Sequence, residues 1–530
     1  MSPAGTSAIA RRKWTLAPPF RHDGGLGWVA PLPKVLWADT DNNDCPNRSS
    51  LRLLENGTEL GPAHAIHATI QASGDGRYSF WMGVVYFSSS DGSDPNTNGR
   101  IYSVERTPSL PDPRSVLRAI APAHAAQWSA PDRPLRCALL GLGNRGRALA
   151  RLVAGFEGVE IAWLVDAAPA RIERVKGEID LPEIQTATDC TAALEDPTVD
   201  AAFIMLPDHL HRVVAEQAFR AGKHVFLEKP IATTIADAKA IVAAWMASGR
   251  VFQLGYVLRW SAFYQTIRNV VRQDRLGPIR VISLSEQLSV AHGASFLRRW
   301  HSNADRSGGL IVHKSCHDLD LVCWLLDSRP RIVGSLGGSS TFHRPAPAPF
   351  CSQCSIRSEC PYVDTGLHEN RTEAERADPT AYGLDRCVFR LDDPIVDNQV
   401  VSFEMENGTR GTYYLAMQGP GRSERRITLI GDAARLDGVF EDGRFTVAYT
   451  APDRQPLAWS ARGPRLGGHG GGDSASVTSF LNACVGRSPS PIKKADDALA
   501  GLVFAASAEL SRTGHQMVVL KDEDFQFDKA

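Results

Sequence analysis

The spacing of hydrophobic positions along the 530-residue chain changes twice, and the changes divide it into three parts. In residues 37–103, short apolar stretches alternate with turn formers at 39–44, at Asn56-Gly57, at 73–76 and at 88–99. Asn-Gly and Asp-Gly between apolar runs favour tight hairpins, because both central positions accept positive φ. Little in this part has helical period, so a small all-β sandwich is predicted. Residues 104–134 contain Pro108, Pro111, Pro113, Pro122, Pro131 and Pro134, and read as a linker with one short helix near 115–119.

From residue 135 the pattern alternates between apolar runs and amphipathic segments. Strands are predicted at 135–140, 159–165, 201–206 and 224–227, with helices at 145–153 and 211–221. Such alternation predicts a parallel sheet with crossover helices. Beyond about 250, strand-like segments at 280–288, 332–336, 399–406, 409–417, 426–430 and 444–449 predict a mostly antiparallel sheet, with a closing helix over 496–513. The expected class is therefore α/β: a Rossmann domain plus a C-terminal α/β domain with a large antiparallel sheet, preceded by a small all-β domain. The boundaries implied are 1–130, 131–255 and 256–530, with a cysteine-containing insertion near 343–387.

Composition narrows the classes of function. The formal net charge is −1, so no electrostatic footprint for nucleic acid or an anionic membrane is visible. No apolar run approaches the length that spans a bilayer. Arg11 and Arg12 precede prolines, charges and glycines rather than an apolar leader. Several of the ten cysteines lie beside apolar segments, which points to free thiols in a reducing, cytoplasmic compartment.

The candidate chemistry begins at Gly141-Leu142-Gly143-Asn144-Arg145-Gly146, between a predicted strand and a predicted helix. There the first glycine permits the tight turn, the second admits a pyrophosphate, and the third lets helix and strand pack closely. Asp166 lies twenty residues beyond Gly146 and ends the next strand, where a carboxylate binds ribose hydroxyls and repels a 2′-phosphate. This predicts NAD rather than NADP, against the plain alternative of a chance glycine turn. Glu228-Lys229-Pro230 follows the strand at 224–227, where parallel sheets bind ligands. Lys229 can hydrogen-bond a substrate hydroxyl and relay a proton, or be a surface lysine at a strand end. In the segment 308–320, His313, His317 and Asp320 share one face if the segment is helical. They suit proton abstraction, a metal, or a satisfied polar core.

Gly141–Gly146, Asp166, Pro207-Asp208-His209-Leu210-His211, Glu228-Lys229-Pro230 and Gly308 through Asp320 together resemble the Gfo/Idh/MocA oxidoreductases over about residues 135–525. Arg259-Trp260 and the stretch His469 through Asp473 fit the same pattern. The resemblance implies an NAD-binding Rossmann domain and a C-terminal domain with an open sheet that mediates homo-oligomerisation. It implies cofactor contacts from Gly141, Gly143, Asn144, Arg145, Gly146, Asp166, Pro207, His211, Glu228 and Lys229. It also matches Lys229 to the active-site lysine and His317 to the catalytic histidine. The family usually carries aspartate four residues before that histidine; here the position is His313, so the relay is altered. The implied substrate is a sugar, glycoside or cyclitol hydroxyl. Two rival readings stand beside it. One is a glycosidase that retains NAD and oxidises its sugar transiently; the other is a non-catalytic NAD- or sugar-binding protein.

Cys351, Cys354 and Cys360, with Cys387 as a fourth ligand, have spacing that suits a structural zinc stapling the insertion. The alternative is thiols that pack or form a redox disulfide. In the first part, Trp37, Phe80, Trp81, Tyr86 and Phe87 read first as β-domain core and second as a saccharide platform.

Overall fold

The computed structural model describes residues 13–41, 49, 51–63, 65–106, 127–363, 384–390, 395–419, 421–451, 454, 456–460, 468–492 and 494–527. The predicted helix near 115–119 lies outside these residues. The described residues up to 106 form one compact unit; those from 127 onwards, Arg454 excepted, form another.

The first unit has two four-stranded antiparallel sheets. One orders Lys13–Thr15, Tyr102–Arg106, Leu51–Glu55 and Thr58–Glu59; the other orders Arg21–Gly24, Gly27–Pro31, Val84–Phe87 and Tyr78–Trp81. Leu51, Leu53, Tyr102 and Val104 of the first share one core with Ala30, Tyr78, Phe80, Val85 and Phe87 of the second. Asn56 and Gly57 make the expected hairpin turn, with φ of 49° and 86°. Residues 73–76 do not. Gly74 instead caps the helix His67–Ser73, which the all-β expectation omits. Phe80 and Phe87 are core, whereas Trp37 is 52% exposed.

In the second unit, a six-stranded parallel sheet orders Gln185–Ala187, Val159–Val165, Leu135–Leu140, Ala201–Ile204, His224–Leu227 and Phe252–Leu254. The central strands are nearly continuous apolar runs because helices cover both faces. The helix Gly472–Cys484, far along the chain, completes this core with Val477, Phe480 and Leu481. Phe480 meets Phe203 and Phe226 edge-on at 5.3 and 5.7 Å. Burying such side chains contributes roughly 1.5–3 kcal/mol each.

The second sheet has nine strands, ordered Leu457–Ser460, Arg444–Tyr449, Ala434–Val439, Glu424–Gly431, Ile279–Ser289, Arg410–Gly419, Asn398–Met405, Pro330–Gly338 and Val518–Val519. It is mixed, because Ile279–Ser289 pairs in parallel with Arg410–Gly419. Helices Cys316–Leu326 and Ala495–Gly514 pack on one face. The segment 308–320 contains the helix Leu310–His313 and the start of the helix Cys316–Leu326. No described helix is long and apolar enough to cross a membrane.

Candidate active site

The Gly141–Gly146 turn leaves the strand Leu135–Leu140 and opens the helix Asn144–Ala154. Gly141 has φ of 91°, and a Cβ there would lie 2.6 Å from the Met205 carbonyl oxygen. A Cβ on Gly146 would lie 1.8 Å from the Gly141 carbonyl oxygen, so the third glycine is required by packing. A Cβ added at Gly143 would meet nothing within 4 Å, which leaves open space on that side of the helix N-terminus. That combination suits a pyrophosphate. The Asp166 carboxylate accepts from the backbone N–H of Leu142 at 2.7 Å and of Ala168 at 2.8 Å, so it orders the turn. Arg171 stands 3.7 Å from it. The residues present therefore fit a dinucleotide.

Asn144 is exposed at the first position of that helix, beside Arg145, which ties three segments together. The Arg145 Nε donates to Glu228 Oε1 at 2.6 Å, and its Nη2 pairs with Asp473 at 2.8 Å. Asp473 in turn faces His469 Nδ1 at 3.1 Å. Burial raises the Asp473 pKa, but His469 and Arg145 outweigh it and hold the carboxylate below its ordinary range. Glu228 also accepts from the Lys229 backbone N–H, and Gly255 leaves it room: a Cβ there would sit 2.8 Å from Oε2. Pro207 precedes a short turn, Asp208–Leu210. His211 is fully buried, with its ring nitrogens 2.8 and 3.0 Å from the carbonyls of Pro230 and Leu206. It joins the two loops rather than reaching the open space.

The Lys229 ammonium donates to the His313 main-chain oxygen at 2.7 Å. The His313 side chain meets Asp208 through Nδ1 and Oδ2 at 2.5 Å, both groups being buried. Burial, then Lys229, pushes the His313 imidazole well below its ordinary pKa; burial pushes the Asp208 carboxyl well up, against the pull of Lys229. His317 is likewise driven well below its usual range, first by burial and then by Lys229, and its buried Nδ1 has no partner among the described residues. A neutral imidazole beside an ammonium can accept a proton.

His313 closes the short helix Leu310–His313 and His317 lies in the first turn of Cys316–Leu326, with Lys314 and Ser315 between them in right-handed helical conformation. Asp320 does not face His317; it holds Arg259 through Nε at 2.6 Å. The carboxylate that meets the His313 side chain comes from another element, Asp208. The spacing also gave no sign of Phe296, Trp300 and His301, which crowd His313 at ring-centroid distances of 5.6, 5.3 and 4.6 Å. Their nearest sequence signal is the Arg-Trp-His run at 299–301, which has no distinctive spacing.

Beneath the histidines is a buried ionic cluster. Glu286 pairs with Lys314 at 3.1 Å and with Arg425, and Arg425 reaches Asp318 at 3.1 Å. Burial raises Glu286, yet Arg425 and Lys314 hold it below its ordinary range, whereas burial lifts Asp318 to about 7. The Tyr413 hydroxyl donates to Ser315 at 2.9 Å, at the junction of the two helices.

The expected zinc site finds no support. Cys351, Cys354, Cys360 and Cys387 line one small pocket, and none of them is in a disulfide. Among the described residues, no group of three or more His, Cys, Asp or Glu side chains is arranged to hold a metal ion. The described ends of the insertion are joined by backbone bonds instead, from Cys351 N to Asp385 O and from Cys387 N to Pro349 O. Arg344 also stacks on Phe389 at 3.7 Å.

Turn, strand-end lysine and buried histidine together make a Rossmann-type oxidoreductase site. Residues 135–256 match the model of an oxidoreductase family with an NAD-binding Rossmann fold, and residues 264–437 match the GFO/IDH/MocA C-terminal domain. The chain belongs to the GFO/IDH/MocA oxidoreductase family. It is 28% identical to YteT of Bacillus subtilis (strain 168), named as an oxidoreductase without a substrate, over 59% of this chain and 80% of that one. It is 28% identical to scyllo-inositol 2-dehydrogenase (NAD(+)) of the same organism, over 39% of this chain and 58% of that one. It is 26% identical to inositol 2-dehydrogenase of Rhizobium meliloti (strain 1021), over 37% of this chain and 56% of that one. The chain thus spans little more than half the length of these inositol dehydrogenases. Among solved structures, a levoglucosan dehydrogenase in complex with NADH and levoglucosan superposes with a TM-score of 0.58 at 17% identity, over 74% of this chain and all of that one. At that identity the likeness shows the fold alone.

Proposed function

We propose that the protein oxidises a secondary hydroxyl of a sugar, glycoside or cyclitol with NAD. The observation that carries this reading is the placing of the Lys229 ammonium against His313, beside the neutral, buried His317, in the domain that carries the open glycine turn. Gly143 and the first turn of Asn144–Ala154 would hold the pyrophosphate, and Asp166 would favour NAD over NADP by its negative charge. When bound, the nicotinamide supplies the hydride acceptor. Lys229 orients the substrate hydroxyl, and the imidazole of His317 takes its proton. Asp208 holds the His313 ring, so the carbonyl that fixes Lys229 stays in place. The aromatic wall of Phe296 and Trp300 excludes water.

The inositol dehydrogenases among the relatives support a polyhydroxylated substrate. The outward face of the nine-stranded sheet exposes Leu336 (76%), Val400 (53%) and Tyr414 (44%), which supports a homo-oligomer built on that face. The free thiols support a cytoplasmic setting. The test is NADH formation over a panel of sugars, glycosides and cyclitols by wild type, Lys229→Ala and His317→Ala. Wild type should turn over at least one polyol. Each variant should fall by roughly 10²–10⁴-fold, the range for a positioned acid–base group. Turnover that survives both substitutions contradicts the reading.

A further inference from the structure

A second cavity is lined in part by Trp324 of the helix Cys316–Leu326. Its volume is about 170 Å³, and it is lined by Gln253, Tyr256, Arg259, Trp260, Arg268 and Trp324 among others. A cavity of roughly 150 Å³ accommodates benzene, so this one has room for a small molecule and not only for water.

The charges in its wall are unbalanced. The Arg259 guanidinium is engaged by Asp320. Arg268 has no such partner: its guanidinium lies over Trp324 at 4.0 Å from the ring centroid, and among the described residues no carboxylate forms an ion pair with it. Asp327 and Asp497 act on it only through space, against the like charges of Arg272 and Arg259. Burial, reinforced by those arginines, lowers its pKa to about 10. A half-buried cation without an anion is a costly arrangement that a bound anion relieves. Arg268 therefore supplies a planar fork for an oxyanion, with Trp324 as a platform behind it.

We propose that this cavity binds a small oxyanion, through a carboxylate or phosphate held by Arg268. The site is distinct from the cofactor turn and does not depend on the proposed reaction. It does adjoin it, because the Tyr256 ring stands 6.1 Å from that of His317. An occupant would press on the residue that backs His317.

The test is equilibrium dialysis of the full-length protein against labelled inorganic phosphate and, separately, labelled gluconate. NADH is present at saturation so that the phosphate subsite at Gly143 is filled. Wild type should bind one of the two probes at one site per chain, and Arg268→Gln should weaken that site at least tenfold. Arg268→Lys, which keeps the charge but not the fork, should fall between them and guards against a folding defect. Phosphate binding alone identifies a phosphoryl ligand; gluconate binding alone identifies a carboxylate. Binding of neither probe, or equal binding by wild type and Arg268→Gln, overturns the proposal. NADH binding in the same samples reports separately on the cofactor site.

Discussion

Replacing Asp208 separates function from stability, because the same burial acts on both in opposite directions. The carboxylate meets His313 Nδ1 at 2.5 Å with both groups buried, and His313 presents the carbonyl that holds Lys229. An asparagine side chain at this position could still accept from Nδ1, so Asp208→Asn removes only the difference between a charged and a neutral hydrogen bond. That difference is about 1–1.5 kcal/mol, or roughly five- to twelvefold in kcat/KM. Asp208→Ala leaves Nδ1 buried and unpaired, which costs about 1–3 kcal/mol and lowers kcat/KM roughly five- to 150-fold. Stability should move the other way. Burial raises the Asp208 pKa in the folded state above its unfolded value. Its contribution is therefore full below the unfolded pKa and is lost as pH rises through the folded one. At pH 7 wild type carries a burial penalty that Asp208→Asn lacks, so the variant should melt at the same temperature or higher. Steady-state NADH formation and thermal melts at pH 5 and pH 7 measure the two effects. Unchanged kcat/KM in both variants, or activity lost only in step with a lower melting temperature, refutes the reasoning.

Gly146→Ala places a Cβ against the Gly141 carbonyl oxygen and should abolish NAD binding measured by titration, with a loss of about 1–3 kcal/mol in stability. Arg145→Ala leaves Glu228 and Asp473 without their cation and should destabilise the fold by roughly 3–5 kcal/mol in denaturant unfolding. Because Asp473 has a depressed pKa, its contribution is present above the unfolded pKa and lost as pH falls, so Arg145→Ala should flatten the acid limb of the stability curve. Asp318, raised to about 7 by burial, stabilises below its unfolded pKa and loses that contribution as pH rises through about 7. Asp318→Asn should therefore melt less steeply with pH between 6 and 8 than wild type.

What could be read from sequence was whatever is local. The strand Leu135–Leu140 announces itself as an apolar run buried on both faces, and Glu228-Lys229 sits at the end of another such strand. The helix Gly472–Cys484 was missed as part of the Rossmann core because its sequence neighbours belong to other elements, and only its packing assigns it there. The parallel pairing of Ile279–Ser289 with Arg410–Gly419 was missed for a related reason. Strand propensity shows a strand, not its partner across more than a hundred residues. The spacing of His313 and His317 does not report that they fall on two helices, with Tyr413 bonded to Ser315 at the junction. The site's connections, Asp208 to His313 and Arg145 to both Glu228 and Asp473, join side chains distant in sequence, and no spacing rule reports them. The cysteine spacing suggested a metal because short intervals resemble ligand sets, but the backbone joins those loops without requiring that geometry.

The central claim is that the Gly141–Gly146 turn holds a nicotinamide dinucleotide. The most direct measurement is to denature the purified protein, identify any released nucleotide by absorbance and mass, and titrate nucleotide-free protein with NAD and NADP. The account predicts NAD, either carried at one per chain or bound on titration more tightly than NADP. Retained NAD with no net NADH would favour the closed redox cycle of a glycosidase over a dehydrogenase. Protein that neither carries nor binds NAD or NADP contradicts the account.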